Sequence, residues 1–235
     1  MPNTGKEKFK TQHNVFDEST NRIIYKLISD GHFDGLQGPL KIGKEANVFI
    51  ALKGAKKIIV KIYRVNNCDF KKMFGYIKSD PRYVRLQGKP RLIINHWVQR
   101  EYRNLMNARE AGVPVPTPIA FKGNVLVMSF IGTDQAARQL KDTIPENPQH
   151  FFDAVVLNMH KLHQIGLVHA DLSSFNILND RESPVFIDFS QCTSVKDLNA
   201  EDYLKRDVHN VCEYFRKLKL KVDENDMLHQ IVKAL

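Results

Sequence analysis

A chain of 235 residues exceeds the roughly 100 to 200 residues of a usual domain, which leaves room for one bilobed domain or two small ones. With 43% apolar and 26% charged residues it reads as a soluble globular protein, excluding a largely disordered or fibrous chain. The 35 Lys and Arg against 26 Asp and Glu leave a net charge of +9, which favours a polyanionic partner: nucleic acid, ATP or an acidic protein.

In chain order, residues 1 to 16 are polar, and the first twelve read as too polar for a signal peptide. Asp17 to Asp30 then reads as a short helix with an Asp17 or Ser19 cap, an Ile23, Ile24, Leu27 face and a Gly31 stop. Strand signals start at Leu40. Asn47 to Leu52 and Lys57 to Tyr63 flank a Lys-Gly-Ala turn as a hairpin, and Val125 to Phe130 forms a further strand. Between them, eight Lys or Arg in Arg64 to Arg91 face only Asp69 and Asp80, which reads as a mobile basic insertion able to contact a polyanion. A long helix, Ile94 to Ala111, follows and is closed by Gly112 and Pro114. After Gly132, helices at Pro148 to Ile165 and Ala200 to Leu218 dominate, with short strands near Ile177 and at Val185 to Ile187.

The expected fold is therefore α+β and two-lobed, strand-rich first and helical second, with a cleft between the lobes crossed at Val125 to Gly132. The longest apolar run, Val125 to Ile131, falls far short of the ~20 residues of a membrane span, so no membrane partner and a cytoplasmic protein are expected. Cys68, Cys192 and Cys212 form no CxxC pair and read as buried or incidental thiols.

The chemistry concentrates in Leu167 to Leu178, LVHADLSSFNIL. An Asp five residues before an Asn, here Asp171 and Asn176, lets one loop aim a carboxylate at a substrate hydroxyl and an amide oxygen at a magnesium ion. Asp188, ending the apolar strand VFID, supplies the second oxygen ligand that Mg²⁺ requires. Lys61 lies inside the apolar strand IIVKIY, where a cation is costly without an anion. Glu101 interrupts the apolar stripe Ile94, Trp97, Val98, Leu105, Ala108 and is the expected partner. Upstream, KIGKEANVF (Lys41 to Phe49) occupies the place of a phosphate-covering loop, with Gly43 the one glycine left of the usual three. His160, His163 and His169 suggest a metal cluster, but the first two lie in one helix and His169 reads as a scaffold bonding backbone near Asp188, so zinc is not expected.

Together GKEANVF, VKIY, WVQREYRNL, VLVMSFIG, HADLSSFN and FIDFSQ resemble the RIO family of atypical protein kinases over most of the chain. The helix running directly into the GKEANV loop, without a winged helix before it, is similar to the type-one subfamily, and the absence of a long C-terminal tail resembles its compact archaeal members. The resemblance implies a protein-kinase-like fold with extra N-terminal helices under the helical lobe and no conventional activation loop. It also implies three parts: a helical extension at 1–40, an ATP-binding N-lobe at 41–131 with the basic insertion 64–91, and a catalytic C-lobe at 132–235. Residue by residue, Asp171 becomes the catalytic base, Asn176 and Asp188 the metal ligands, and Lys61 the phosphate anchor oriented by Glu101. Gly43, Lys44, Glu45, Ala46 and Val48 cover the nucleotide, and backbone groups of Ser129 and Ile131 hold adenine. ATP with Mg²⁺ or Mn²⁺ is the implied cofactor.

The implied activity is Ser/Thr phosphorylation with ATPase activity, including autophosphorylation, with Ser79 among the self-targets and Asp188 able to accept the γ-phosphate itself. The implied partner is the pre-ribosomal small-subunit particle, its rRNA and its ribosomal or assembly proteins. Ser174 and Phe175 replace the family's usual acidic residue and tyrosine, and Ser173 stands where conventional kinases carry a lysine, so slow turnover is expected. The alternative is a small-molecule phosphotransferase of the aminoglycoside or choline kinase type, whose loop also reads HxDxxxxN.

Overall fold

The structure, a computed structural model, describes residues 16–65, 70, 73 and 89–233; Cys68, Ser79 and most of the basic stretch 64–91 lie outside them. The first helix, α1 (Glu18–Ser29), begins where the Asp17 carboxylate accepts the Thr20 amide at 2.7 Å and ends at Asp30, with Gly31 in the left-handed region at φ 75°. Five antiparallel strands follow: β1 (Gly35–Ile42), β2 (Ala46–Lys53), β3 (Lys56–Tyr63), β4 (Pro118–Lys122) and β5 (Val125–Ser129), in the spatial order β1-β2-β3-β5-β4. The β2–β3 turn uses Gly54 at φ 58°, which a side chain with a Cβ rarely adopts.

Strand β3 is buried on both faces, and its period of two sorts its side chains into two separate cores. Ile58, Val60 and Ile62 join Ile24 and Leu27 of α1, Phe33, Phe49, Val125 and Val127. Ile59 and Tyr63 instead join Leu126, Met128 and helix α2 (Pro90–Glu110), in a core that continues into the helical half. Helix α1 thus sits on the outer face of the sheet rather than under the helical lobe, because that face carries six of these apolar strand side chains and needs a cover. Residues 35–42 already belong to the sheet, so strand structure starts ahead of residue 41. Helix α2 likewise starts ahead of Ile94, at Pro90, whose missing N–H and fixed φ suit the first turn.

The second half contains α3 (Pro148–Gln164), α4 (Ala200–Lys217) and α5 (Glu224–Val232). Short strands β6 (Arg138–Gln139), β8 (Ile177–Asp180) and β9 (Ser183–Phe186) form one small sheet, and β7 (Leu167–Val168) pairs with β10 (Thr193–Ser194) in another. These short pairings hold the loops that carry Asp171, Asn176 and Asp188. Residues 189–199 connect Asp188 to α4, so no long activation segment intervenes. No helix among the described residues is long and apolar enough to cross a membrane.

Candidate active site

The apolar environment of β3 makes Lys61, 7% exposed, seek anions, and it finds two. Its Nζ lies 2.8 Å from Glu101 Oε1 and 3.0 Å from Asp188 Oδ1. Glu101, 1% exposed, is carried inward by the apolar stripe of α2 and accepts a 2.5 Å hydrogen bond from the Tyr63 hydroxyl on its second oxygen. Burial lowers the Lys61 ammonium's pKa, but the Asp188 and Glu101 charges outweigh it and hold the group protonated, well above its ordinary range. Burial raises the Glu101 carboxyl, only partly opposed by Lys61. Asp188 is likewise pushed up by burial, yet Lys61 and a 2.7 Å hydrogen bond from Ser190 Oγ hold it at about 2.

The loop that carries Asp171 is held from outside. Ala170, at φ 65°, and Leu172 each donate their amide to one oxygen of Asp207 on α4, both at 2.8 Å. Arg206 donates to the Ala170 carbonyl, and Asn210 donates to that of Leu172 at 3.1 Å. Burial pushes Asp207 up to about 7 against those two amide donors. His169 bonds the Ile187 carbonyl through Nε2 at 3.0 Å, the scaffold role its position suggested, and burial lowers it to about 4, so the ring is neutral and donates through Nε2. Asn176 donates to the Asp171 carbonyl at 2.8 Å and to Asp171 Oδ2 at 3.3 Å, and Gln191 donates to the same Oδ2 at 3.1 Å.

Lys61, Tyr63, Glu101, Asn176, Asp188 and Ser190 border one cavity of about 660 Å³ between the lobes. Gly43, Lys44, Glu45, Ala46 and Val48 line one side, Lys61 and Glu101 its depth, Ser129 and Ile131 the crossing, and Asn176 and Asp188 the opposite wall. Asp171 is not among the lining residues and connects to the wall through Asn176. The single loop glycine is fixed by contact: a Cβ at Gly43 would lie 2.7 Å from the Ala46 carbonyl oxygen. At the crossing, Gly132 at φ 124° would place a Cβ 2.3 Å from the Gln135 oxygen.

Sequence reasoning missed Tyr63, Ser190, Gln191 and Asp207. Asp207 left a readable signal, since it interrupts the apolar set Leu204, Val208, Val211, Phe215 of α4 as Glu101 interrupts that of α2. Ser190 and Gln191 left none, because their partners are distant in sequence or set by loop geometry.

The RIO domain is matched over residues 47–227. The chain is 43% identical to the RIO-type serine/threonine-protein kinase Rio1 of Haloferax volcanii, covering 96% of this chain and 78% of that protein. It is 39% identical to the protein of the same name from Methanocaldococcus jannaschii, with the same shares covered. Among solved structures it resembles the Chaetomium thermophilum Rio2 kinase in its ADP/Mg²⁺-phosphoaspartate complex, with TM-score 0.70 and 24% identity over 90% of this chain and 66% of that one. The fold with its interlobe cleft, the domain match and the archaeal relatives agree, and the chain belongs to the RIO family of serine/threonine-protein kinases.

Proposed function

We propose that the cleft binds ATP with Mg²⁺ and transfers the γ-phosphoryl group to serine or threonine, and that the protein acts as a RIO-type kinase and ATPase in maturation of the small ribosomal subunit. One observation carries the reading: a single buried ammonium, Lys61, faces two carboxylates, Glu101 and Asp188, at the wall of a cavity of nucleotide size. The donor set suits Mg²⁺, a hard cation that takes oxygen ligands. Asp188 is ionised, and its Oδ2 accepts no hydrogen bond among the described residues. Asn176 commits its amide nitrogen to Asp171, which leaves the amide oxygen for the metal.

Bound Mg²⁺-ATP supplies the transferable phosphoryl group and neutralises charge as it moves. Lys61, oriented by Glu101, anchors the α and β phosphates. The Ser129 N–H and the Ile131 carbonyl already bond Thr117 and Ala137, so adenine recognition falls to the Ser129 carbonyl and the Ile131 N–H. Asp171, held through Oδ2, takes the proton of the attacking hydroxyl. The unbonded Oδ2 of Asp188 also favours a second mode, in which this carboxylate accepts the γ-phosphoryl group and water later releases it, making the protein an ATP-driven switch. The net charge of +9 supports rRNA as a partner.

The test is incubation with γ-labelled ATP and Mg²⁺, comparing wild type, Asp171→Ala and Asp188→Ala, and separating free phosphate, acid-stable protein label and hydroxylamine-sensitive label. Acid-stable label on Ser or Thr that vanishes in Asp171→Ala supports the kinase. Free phosphate with hydroxylamine-sensitive label that vanishes in Asp188→Ala supports the switch, and wild type lacking all three contradicts both.

A further inference from the structure

Two adjacent side chains after Asp188 each bond one of the two working carboxylates. Ser190 Oγ donates to Asp188 Oδ1 at 2.7 Å, and Gln191 Nε2 donates to Asp171 Oδ2 at 3.1 Å. Neither bond is incidental to a mobile loop, because the carbonyls on both sides of the pair are tied to α2. Asn104 Nδ2 donates to the Phe189 carbonyl at 3.1 Å and to the Cys192 carbonyl at 3.0 Å, and Arg100 adds a 2.8 Å bond to the latter. Phe189, fully buried, packs edge-on against His169 with centroids 4.8 Å apart, which joins this turn to the catalytic loop. The same helix carries Glu101, one turn from Asn104, so the Lys61 anchor and the carboxylate clamps share one rigid support.

We infer that Ser190 and Gln191 are positioning residues with separate assignments: Ser190 fixes the Asp188 carboxylate for metal and phosphate, and Gln191 fixes the Asp171 carboxylate for the incoming hydroxyl. The inference rests on the kinase reading above. Its chemical content is directional. A serine hydroxyl has one proton, and giving it to Oδ1 leaves Oδ2 of Asp188 to the cleft. The Gln191 amide and Asn176 both donate to Oδ2 of Asp171, which keeps that carboxylate from rotating. Losing Ser190 should loosen Asp188, which Lys61 still holds, and losing Gln191 should loosen Asp171, which Asn176 still holds, each without disturbing the other carboxylate.

The experiment compares Ser190→Ala, Ser190→Thr, Gln191→Ala and wild type, each first checked for an unchanged melting temperature to within a few degrees. Calorimetric titration with ADP, in Mg²⁺ and in EDTA, gives a readout independent of turnover. Ser190→Ala should lose the Mg²⁺-dependent gain in ADP affinity by about tenfold, and Ser190→Thr, which keeps the hydroxyl, should restore it. Gln191→Ala should keep wild-type ADP affinity while its kcat for label transfer to Ser or Thr falls by about tenfold or more, with the acidic limb of its pH profile moved to higher pH. Equal effects of the two alanine variants on ADP affinity, or no effect of Ser190→Ala on it, would overturn the inference. A wild type that binds Mg²⁺-ADP yet transfers no phosphate would instead count against the kinase reading while the Ser190 comparison still decides the clamp.

Discussion

Lys61 and Asp188, 127 residues apart in sequence, meet at 3.0 Å across the cleft and tie the last apolar turn of β3 to the segment after β9. With Glu101 at 2.8 Å on the same ammonium, one cation balances two carboxylates and the cluster keeps a net negative charge. That imbalance suits a divalent cation, and it ties fold stability to the groups proposed to bind nucleotide and metal.

Removing Lys61 should therefore cost stability as well as activity. Lys61→Met leaves Glu101 buried without its cation, at an expected cost of about 3 to 5 kcal/mol. Lys61→Met with Glu101→Gln should recover more than half of that loss, because the amide still accepts from Tyr63 and carries no charge. Neither variant should transfer phosphate. Urea denaturation of the full double-mutant cycle checks the prediction.

Asp171→Asn should separate binding from chemistry. The residue does not line the cavity, so ADP affinity should stay within about twofold while transfer to Ser or Thr falls by about 10² to 10⁴. Wild-type turnover itself should lie below the ~1 per second lower edge of typical kinases, given Ser173 in place of a lysine. Calorimetry and steady-state kinetics measure the two effects independently.

Asp207→Ala should destabilise the protein by about 4 kcal/mol, because it strands the Ala170 and Leu172 amides in a buried site at roughly 1 to 3 kcal/mol each. Asp207→Asn should cost less, since one amide keeps an acceptor. The denaturant midpoint, read with an unchanged slope, checks this.

The pH dependence of stability should carry a His169 signature. Burial lowers the folded-state value to about 4 from 6.5, so its contribution is complete above about 6.5 and is lost as pH falls through about 4. Between those limits wild type should lose up to about 3 kcal/mol that His169→Asn does not. The Asp188 contribution, with its folded value at about 2, is lost in a separate window below about 3.8. Chemical denaturation at pH 7, 5 and 4 reads the His169 window, and a further series down to about pH 2 reads that of Asp188.

Much of this was readable in advance where a residue violated its local pattern. Lys61 in an apolar strand and Glu101 in an apolar helix stripe each implied a hidden partner, and the structure pairs them. The spacing of Asp171 and Asn176 likewise anticipated their contact, and Asn176 and Asp188 line the cleft while Asp171 reaches its wall only through Asn176. The placement of α1 was not readable, because an amphipathic face states that it needs a cover and not which surface supplies it. Strand β1 is an edge strand with two register shifts around Gly38 and Pro39, and its mostly exposed side chains leave no alternation to detect. Ser190 and Gln191 act through hydrogen bonds formed only when the loops are assembled.

The account stands most directly on a structure with Mg²⁺ and a non-hydrolysable ATP analogue. It predicts adenine against the Ser129 carbonyl and Ile131 N–H, α and β phosphates at Lys61, and a metal about 2.1 Å from oxygens of Asn176 and Asp188. Nucleotide bound away from the Gly43 to Val48 loop, or a metal that avoids both Asn176 and Asp188, would contradict it.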